Sequence, residues 1–342
     1  MRVLVTGGAG FIGSNLVHRL ASDGHTVTIL DNMSRPGSEA NAAWLHEAHA
    51  HELKLIRDDV CNSEAVHEAM KDAEAVFHLA GQVAVTSSVN DPRHDFQCNA
   101  LGTFNVLEAA RRADPKPFFL YASTNKVYGG MDECEVESLP DRYALRHLPL
   151  GVPETQPLDF HSPYGCSKGA ADQYVRDYFR IYGLPTVVAR QSCIYGPRQF
   201  GVEDQGWLAW FIIAAVQGKP ITIYGDGKQV RDVLYVDDLI DFYLTALQKR
   251  GQVGGRVYNV GGGPANAIAV WRDFQDILEG ILGRRVAVSW SDWRPGDQRV
   301  YVSDIRKAQR ELGWTPKTGA RDGIRRLAEW VMSNAGIFPK CP

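Results

Sequence analysis

Thr6-Gly7-Gly8-Ala9-Gly10-Phe11-Ile12-Gly13 is the stretch that decides the fold. It follows a short β-branched run, Arg2 to Thr6, and leads into Ser14 to Asp23, where Leu16, Val17 and Leu20 share one helical face. Strand, glycine turn and helix in immediate succession make a dinucleotide-binding fingerprint. The glycines permit a tight turn and close approach of a pyrophosphate, whose charge the helix N-terminus stabilises. A second strand, Thr26 to Leu30, ends in Asp31-Asn32, roughly 20 residues beyond the glycines, where a carboxylate hydrogen-bonds the adenosine ribose. Asp31 repels a 2′-phosphate, so NAD is expected rather than NADP; Arg35 nearby weakens that preference without reversing it.

Working outward, strand-like pieces recur at Leu53 to Arg57, Ala75 to Leu79, Phe118 to Ala122 and Thr186 to Ala189, with helical stretches between them such as Asn99 to Arg112. That alternation predicts an α/β protein with a Rossmann-type, doubly wound parallel sheet. Ligands are expected at the carboxyl ends of its strands. Asp58-Asp59-Val60 follows the third strand, where Asp59 reaches the adenine amine, and Ala80-Gly81-Gln82 follows the fourth, small enough for a cofactor to pass close to the backbone. Gly130 to Phe160, rich in Pro, Glu and Asp, reads as an irregular insertion. From about Cys193 the elements shorten and glycine punctuation thickens, as in a smaller α/β substrate-binding domain. The expected division is a dinucleotide-binding domain over 1–190, with 230–262 returning to it, and a substrate domain over 191–229 and 263–342.

The chemistry is expected from Ser123-Thr124, after the fifth strand, and from His161-Ser162-Pro163-Tyr164-Gly165-Cys166-Ser167-Lys168. Pro163 suits the first turn of a helix, and a tyrosine and lysine four apart then project from one face. The Lys168 ammonium beside the Tyr164 phenol favours the phenolate and makes it a general base. Thr124 can hydrogen-bond a sugar hydroxyl and help its proton move to the tyrosine. Arg231 and Arg294 each stand where an arginine can clamp a diphosphate bidentately.

Composition bounds the rest. A chain of 342 residues, 44% hydrophobic and 23% charged, is long enough for two joined domains. A net charge of −3 gives no basic footprint, which argues against nucleic acid or an anionic membrane as partner. Met1 runs straight into the first strand, leaving no room for a signal peptide, and the apolar run Trp207 to Val216 is too short to span a bilayer. The six cysteines are scattered without a Cys-x-x-Cys pair, so free thiols in a reducing cytoplasm, no disulfide framework and no metal site are expected. His46, His49 and His51 crowd one segment without a supporting ligand pattern and read as a solvated helix.

Taken together, the glycine fingerprint, Asp31, Thr124, the Tyr164/Lys168 pair, Val127-Tyr128-Gly129, Tyr195-Gly196-Pro197-Arg198 and Arg231-Asp232-Val233 resemble the extended short-chain dehydrogenase/reductases that act on nucleotide sugars. Gly81-Gln82-Val83-Ala84, Ser123 through Gly129, the run Leu158 through Tyr174, and Asp204-Gln205-Gly206-Trp207 are more closely similar to the CDP-sugar 2-epimerase branch. The resemblance covers nearly the whole chain. It implies tightly bound NAD and inversion at C2 of a CDP-linked hexose, CDP-paratose or CDP-glucose, with catalytic Thr124, Tyr164 and Lys168. It further implies cofactor contacts from Gly7, Gly10, Phe11, Ile12, Gly13, Asp31, Asn32, Ser34, Arg35, Asp59, Val60, Leu79, Ala80, Gln82, Asn99, Tyr164, Lys168 and Arg190. Thr86, Ser123, Thr124, Asn125, Gln191, Ser192, Gln205, Arg231 and Arg294 would meet the nucleotide sugar. Relatives that eliminate water carry an Asp-Glu pair directly after the catalytic threonine, where this chain has Asn125-Lys126, so a dehydratase is disfavoured. A UDP-sugar 4-epimerase using identical residues and a non-catalytic NAD-binding protein remain the rival readings. The family's pairing through a four-helix bundle implies a homodimer or a tetramer, with apolar surface from Leu101, Phe104, Leu107, Ala170, Ala171, Tyr174, Tyr178 and Phe179.

Overall fold

Strand β1, Arg2–Thr6, is buried at Val3, Leu4 and Val5, as a parallel strand covered on both faces must be. It pairs in parallel with β2, Thr26–Leu30, on one side and with β4, Ala75–His78, on the other. Outside them lie β3, Leu53–Ile56, beside β2, and β5, Phe118–Thr124, beside β4, again in parallel. Two further strands, Thr186–Gln191 and Arg256–Val260, complete a seven-stranded sheet in which the strand order reverses between β1 and β4. That reversal is the topological switch point, and dinucleotides bind at the carboxyl ends of the strands there. In this computed structural model, residues 1–293 and 297–338 are described.

The chain divides into two compact units. The first comprises Met1–Val127, Phe160–Arg190 and Ile240–Tyr258, and holds most of the large sheet. Helix α1, Phe11–Ser22, buries Leu16, Val17 and Leu20, and the long helix Ser162–Tyr182 packs Ala171, Val175 and Tyr178 into a core with Val106, Leu107, Phe119 and Tyr121.

The second unit comprises Tyr128–Asp159, Gln191–Leu239 and the chain from Asn259 onward. Its four-stranded sheet joins Val230–Tyr235 to Cys193–Tyr195, Ala267–Ala269 and Val300–Tyr301. The Trp207–Val216 helix is apolar all round because it is a core helix here, packed among Trp271, Phe274, Ile324 and Leu327.

These boundaries differ from those expected from the sequence in two places. The segment after Val127 does not stay with the dinucleotide unit. Tyr128 Oη donates to Asn259 Oδ1 at 2.7 Å, Tyr143 N to Lys228 O at 3.0 Å and Val152 N to Val302 O at 2.7 Å, all within the second unit. The segment also contains a short antiparallel hairpin, Val136–Ser138 with Tyr143–Leu145, rather than being wholly irregular. Residues 230–239 likewise belong to the second unit through the Val230–Tyr235 strand. The return to the first unit begins at Ile240, where Tyr243 meets Phe77 with ring centroids 5.7 Å apart. The expected helix over Asn99 to Arg112 is also split: Gln97–Leu101 forms a π-turn, and a regular helix runs from Gly102 to Arg112.

Candidate active site

The glycine turn is built by backbone requirements. Gly7 has φ +69°, and a Cβ there would lie 2.8 Å from Ala80 N; a Cβ at Gly13 would fall 2.1 Å from Gly7 O. Only glycine lets β1, α1 and the end of β4 converge so closely. Gly10 caps α1 without a side-chain hydrogen bond, so the N–H groups at Phe11, Ile12 and Gly13 open the helix without a side-chain acceptor.

Around that turn, the Asp31 carboxylate accepts from Ala9 N and Met33 N, each at 2.9 Å, and burial raises its pKa. Asn32 donates to Asp59 Oδ2 at 2.6 Å while its own oxygen accepts from Ser34 N at 3.0 Å. Burial lowers the pKa of Arg35 in the same loop. Val60 is buried, its carbonyl accepting from Asn105 Nδ2 at 3.0 Å. Leu79 N and Ala80 N are held by Thr6, through its carbonyl at 3.1 Å and its hydroxyl at 3.2 Å. A Cβ at Gly81 would come 2.6 Å from Asn99 Oδ1 and 3.8 Å from Lys168 Nζ. Asn99 Oδ1 and Gln82 Oε1 are both buried without a hydrogen-bond partner. Two orphaned acceptors, a side-chain-free helix N-terminus and a cradle that a Cβ would fill fit a dinucleotide with hydroxyl-bearing riboses.

The triad residues come together within the first unit. Thr124 ends β5, Tyr164 and Lys168 stand one turn apart on the Ser162–Tyr182 helix, and all three are buried. The Ser162 hydroxyl accepts from Gly165 N at 3.3 Å and secures the first turn. Burial pushes the Tyr164 phenol up to about 12, against a hydrogen bond from Thr124 that pulls it down. Burial also lowers Lys168 to about 7, against the nearby charges of Asp95 and Asp172. Lys168 Nζ donates to Ala122 O at 2.6 Å and sits 4.4 Å from the centre of the Tyr121 ring. Spacing alone predicts a phenol lowered by the lysine; in the fold, burial is the largest influence on Tyr164 and raises it, with the Asp95 charge adding in the same direction.

Three other candidate residues are paired with buried carboxylates. Arg190 is a buried partner of Asp172, with Nε to Oδ2 and Nη2 to Oδ1 both at 2.9 Å, because a guanidinium taken out of water needs a paired carboxylate. Ser123 Oγ donates to the same Asp172 Oδ2 at 2.8 Å. Ser192 Oγ donates to the fully buried Asp232.

The remaining candidates are placed as follows. Asn125 is buried beside Thr124 and accepts its hydroxyl at 3.4 Å, whereas Thr86 is exposed on the short helix Val85–Asn90. In the second unit Gln191 is buried, Gln205 is half-buried and exchanges two backbone hydrogen bonds with Val202, and Arg231 Nη2 donates to Asp297 Oδ1 at 2.7 Å and Gln298 O at 2.6 Å. Arg294 lies outside the described residues. Asp95, which sequence reasoning missed, accepts from Asn99 Nδ2 at 3.0 Å and from Ser167, and its charge bears on both Tyr164 and Lys168. No motif marks it; it stands on the short helix Pro92–Phe96, which leads into the π-turn.

Residues 3–261 match the NAD dependent epimerase/dehydratase family. The chain belongs to that family. A CDP-paratose 2-epimerase of Salmonella typhi is 42% identical over 340 residues, spanning 97% of this chain and 100% of its own length. A solved UDP-glucuronic acid 4-epimerase of Bacillus cereus, in complex with UDP-glucuronic acid and NAD, superposes with a TM-score of 0.84 at 28% identity, covering 97% of this chain and 99% of its own. A dTDP-glucose 4,6-dehydratase of Streptomyces venezuelae, solved with NAD, gives 0.85 at 29% identity and 99% coverage of both chains. NAD is the family's cofactor, and the glycine cradle and orphaned acceptors described above are the residues that fit it.

Proposed function

We propose that this chain is an NAD-dependent nucleotide-sugar epimerase that inverts C2 of a CDP-linked hexose, CDP-paratose to CDP-tyvelose being the reaction favoured and CDP-glucose the alternative substrate. The observation that carries the reading is the buried Thr124–Tyr164–Lys168 group beside the glycine cradle, followed by Asn125-Lys126 in place of an acid–base pair for elimination. The likeness to the Salmonella typhi enzyme over the full length supports C2 and CDP over C4 and UDP.

NAD supplies the hydride acceptor and donor together with a cationic ring. Tyr164 takes the C2 hydroxyl proton onto its phenolate oxygen as the carbinol becomes a 2-keto sugar, and gives the proton back after the sugar presents its other face. Thr124, buried with Tyr164 at the end of β5, holds the migrating proton in line. Lys168 sets the positive charge that the phenolate needs. Gly7, Gly10, Phe11, Ile12 and Gly13 hold the pyrophosphate; Asp31, Asn32, Ser34, Arg35, Asp59 and Val60 hold the adenosine; Leu79, Ala80, Gln82 and Asn99 line the channel. We assign sugar-nucleotide contacts to Thr86, Asn125, Gln191, Gln205, Arg231 and Arg294, with Arg190, Ser123 and Ser192 as positioning residues.

The homodimer belongs to the same proposal. Leu101, Phe104, Tyr174 and Phe179 are exposed, with Phe104 and Tyr174 in edge contact, while Leu107, Ala171 and Tyr178 face their own core and drop out of the expected surface. Among the described residues no helix is long and apolar enough to cross a membrane, and a cytoplasmic location is proposed from the free thiols.

The test is incubation of the protein as isolated, without added cofactor, in deuterated water with CDP-paratose, CDP-glucose, UDP-glucose or UDP-galactose. A C2 epimer of a CDP-sugar with no deuterium at C2 is the expected result. A C4 epimer from a UDP-sugar would overturn the substrate assignment, and no turnover with bound NAD would support a non-catalytic NAD-binding protein.

A further inference from the structure

Cys61, in the turn after β3, and Cys98, in the π-turn Gln97–Leu101, are far apart in sequence and were expected to be unrelated thiols. The fold brings them together and adds the Asp59 carboxylate, so that one ligand atom from each of the three lies within 4.8 Å of the other two. Cys98 is buried, and Asp59 and Cys61 are half-buried. We propose that Asp59, Cys61 and Cys98 form a binding site for a soft divalent cation of the Zn2+ or Cd2+ class.

The donor chemistry selects that class. Two sulfur ligands and one carboxylate suit a thiophilic ion and disfavour Mg2+ or Ca2+, which demand oxygen shells. Tetrahedral Zn2+ with Zn–S of about 2.3 Å and Zn–O of about 2.0–2.2 Å needs ligand atoms roughly 3.5–3.8 Å apart, so the present spacing requires a contraction of about one ångström at most. The carboxylate is already oriented. Asp59 Oδ1 accepts from Cys61 N at 2.8 Å and Oδ2 from Asn32 Nδ2 at 2.6 Å, leaving a lone pair on each oxygen for a metal. His94, one turn before Cys98, places both ring nitrogens 3.6 Å from its sulfur. Binding forms two metal–sulfur bonds and one metal–oxygen bond and releases the two thiol protons to solvent; no electrons move. The fourth position is left to water.

If Asp59 also meets adenine, a consequence that rests on the proposed function, an occupied cation site withdraws that carboxylate and slows cofactor loading.

The probe is Cd2+, titrated under argon in a metal-free phosphine reductant, first into the protein as isolated and then into Cys61→Ser, Cys98→Ser and Cys166→Ser variants. The expected result is an ultraviolet thiolate-to-Cd2+ absorption band saturating at one ion per chain, retained in Cys166→Ser and lost in the other two. Asn32→Ala is expected to weaken binding by roughly 10–100-fold, as loss of an orienting outer partner does. Should a serine variant fail to fold, alkylation of the unaltered protein followed by peptide mass spectrometry decides: Zn2+ should protect Cys61 and Cys98 but not the exposed Cys166. A band that survives both serine substitutions, or equal alkylation of Cys61 and Cys98 with and without Zn2+, overturns the proposal. Neither readout depends on epimerase turnover, so it stands or falls separately from the activity.

Discussion

Two buried cations, Lys168 on the helix that bears Asp172 and Arg190 on the strand Thr186–Gln191, are treated by the fold in opposite ways. Arg190 is locked to Asp172 by two parallel hydrogen bonds, and Ser123 and Gln173 bind the same carboxylate. Lys168 is equally buried, yet among the described residues it has no carboxylate ion-pair partner; its ammonium rests on a carbonyl and an aromatic face. Burial with a bidentate partner fixes a charge, whereas burial without one leaves the proton loosely held, and Lys168 falls to about 7. The difference separates a framework charge from one that can respond to chemistry beside it.

The largest effect should come from the proposed base, one helical turn from Lys168. Tyr164→Phe should cut turnover by about 10²–10⁴-fold while NAD stays bound, measured by single-turnover kinetics and cofactor absorbance. Breaking the locked pair should cost stability instead: Asp172→Asn leaves the Arg190 charge buried and unpaired, and chemical denaturation should show a loss of about 3–5 kcal/mol. Ser123→Ala removes one donor to that carboxylate and should cost about 1.5–3 kcal/mol in the same measurement; a neutral result would mean that Asp172 does not need it.

The smallest effect per unit change is in the pH dependence of stability. The Lys168 amine binds its proton less tightly in the folded chain than in the unfolded one, so between about 7 and the ordinary lysine value of 10.5 the unfolded state holds more protons. Its contribution therefore rises with pH across that window, by about 1.4 kcal/mol per unit, and the penalty is fully present below 7. Lys168→Met should remove that slope, whereas Arg190→Met should leave it in place.

The local parts of this arrangement were legible in the sequence. A glycine turn between a strand and a helix, and a tyrosine and lysine four apart, are set by backbone geometry within a few residues, so Gly7 to Gly13 and the Tyr164/Lys168 spacing could be read directly. The relative weight of burial and charge at Tyr164 could not, because desolvation depends on what the whole unit packs around the phenol. The partners of Arg190, Ser123 and Ser192 were hidden for a related reason: each is a carboxylate supplied from another segment, Asp172 or Asp232. Cys98 lies in a π-turn that no hydrophobic period announces, since one extra residue in a helical turn shifts which side chains face inward, and Asp95 stands on a five-residue helix too short to show a period. The assignment of Tyr128–Asp159 to the second unit rests on hydrogen bonds to residues more than a hundred positions away, such as Tyr128 to Asn259.

The contrast between the two cations is tested most directly by titrating Lys168 itself. Protein carrying 13C-labelled lysine side chains, stripped of cofactor, is followed by NMR from acid to alkaline pH, with the resonance assigned through Lys168→Arg. The account predicts a midpoint near 7 for Lys168. A midpoint at the ordinary lysine value, indistinguishable from the surface lysines, would contradict it and would place Lys168 with Arg190 as a fixed framework charge.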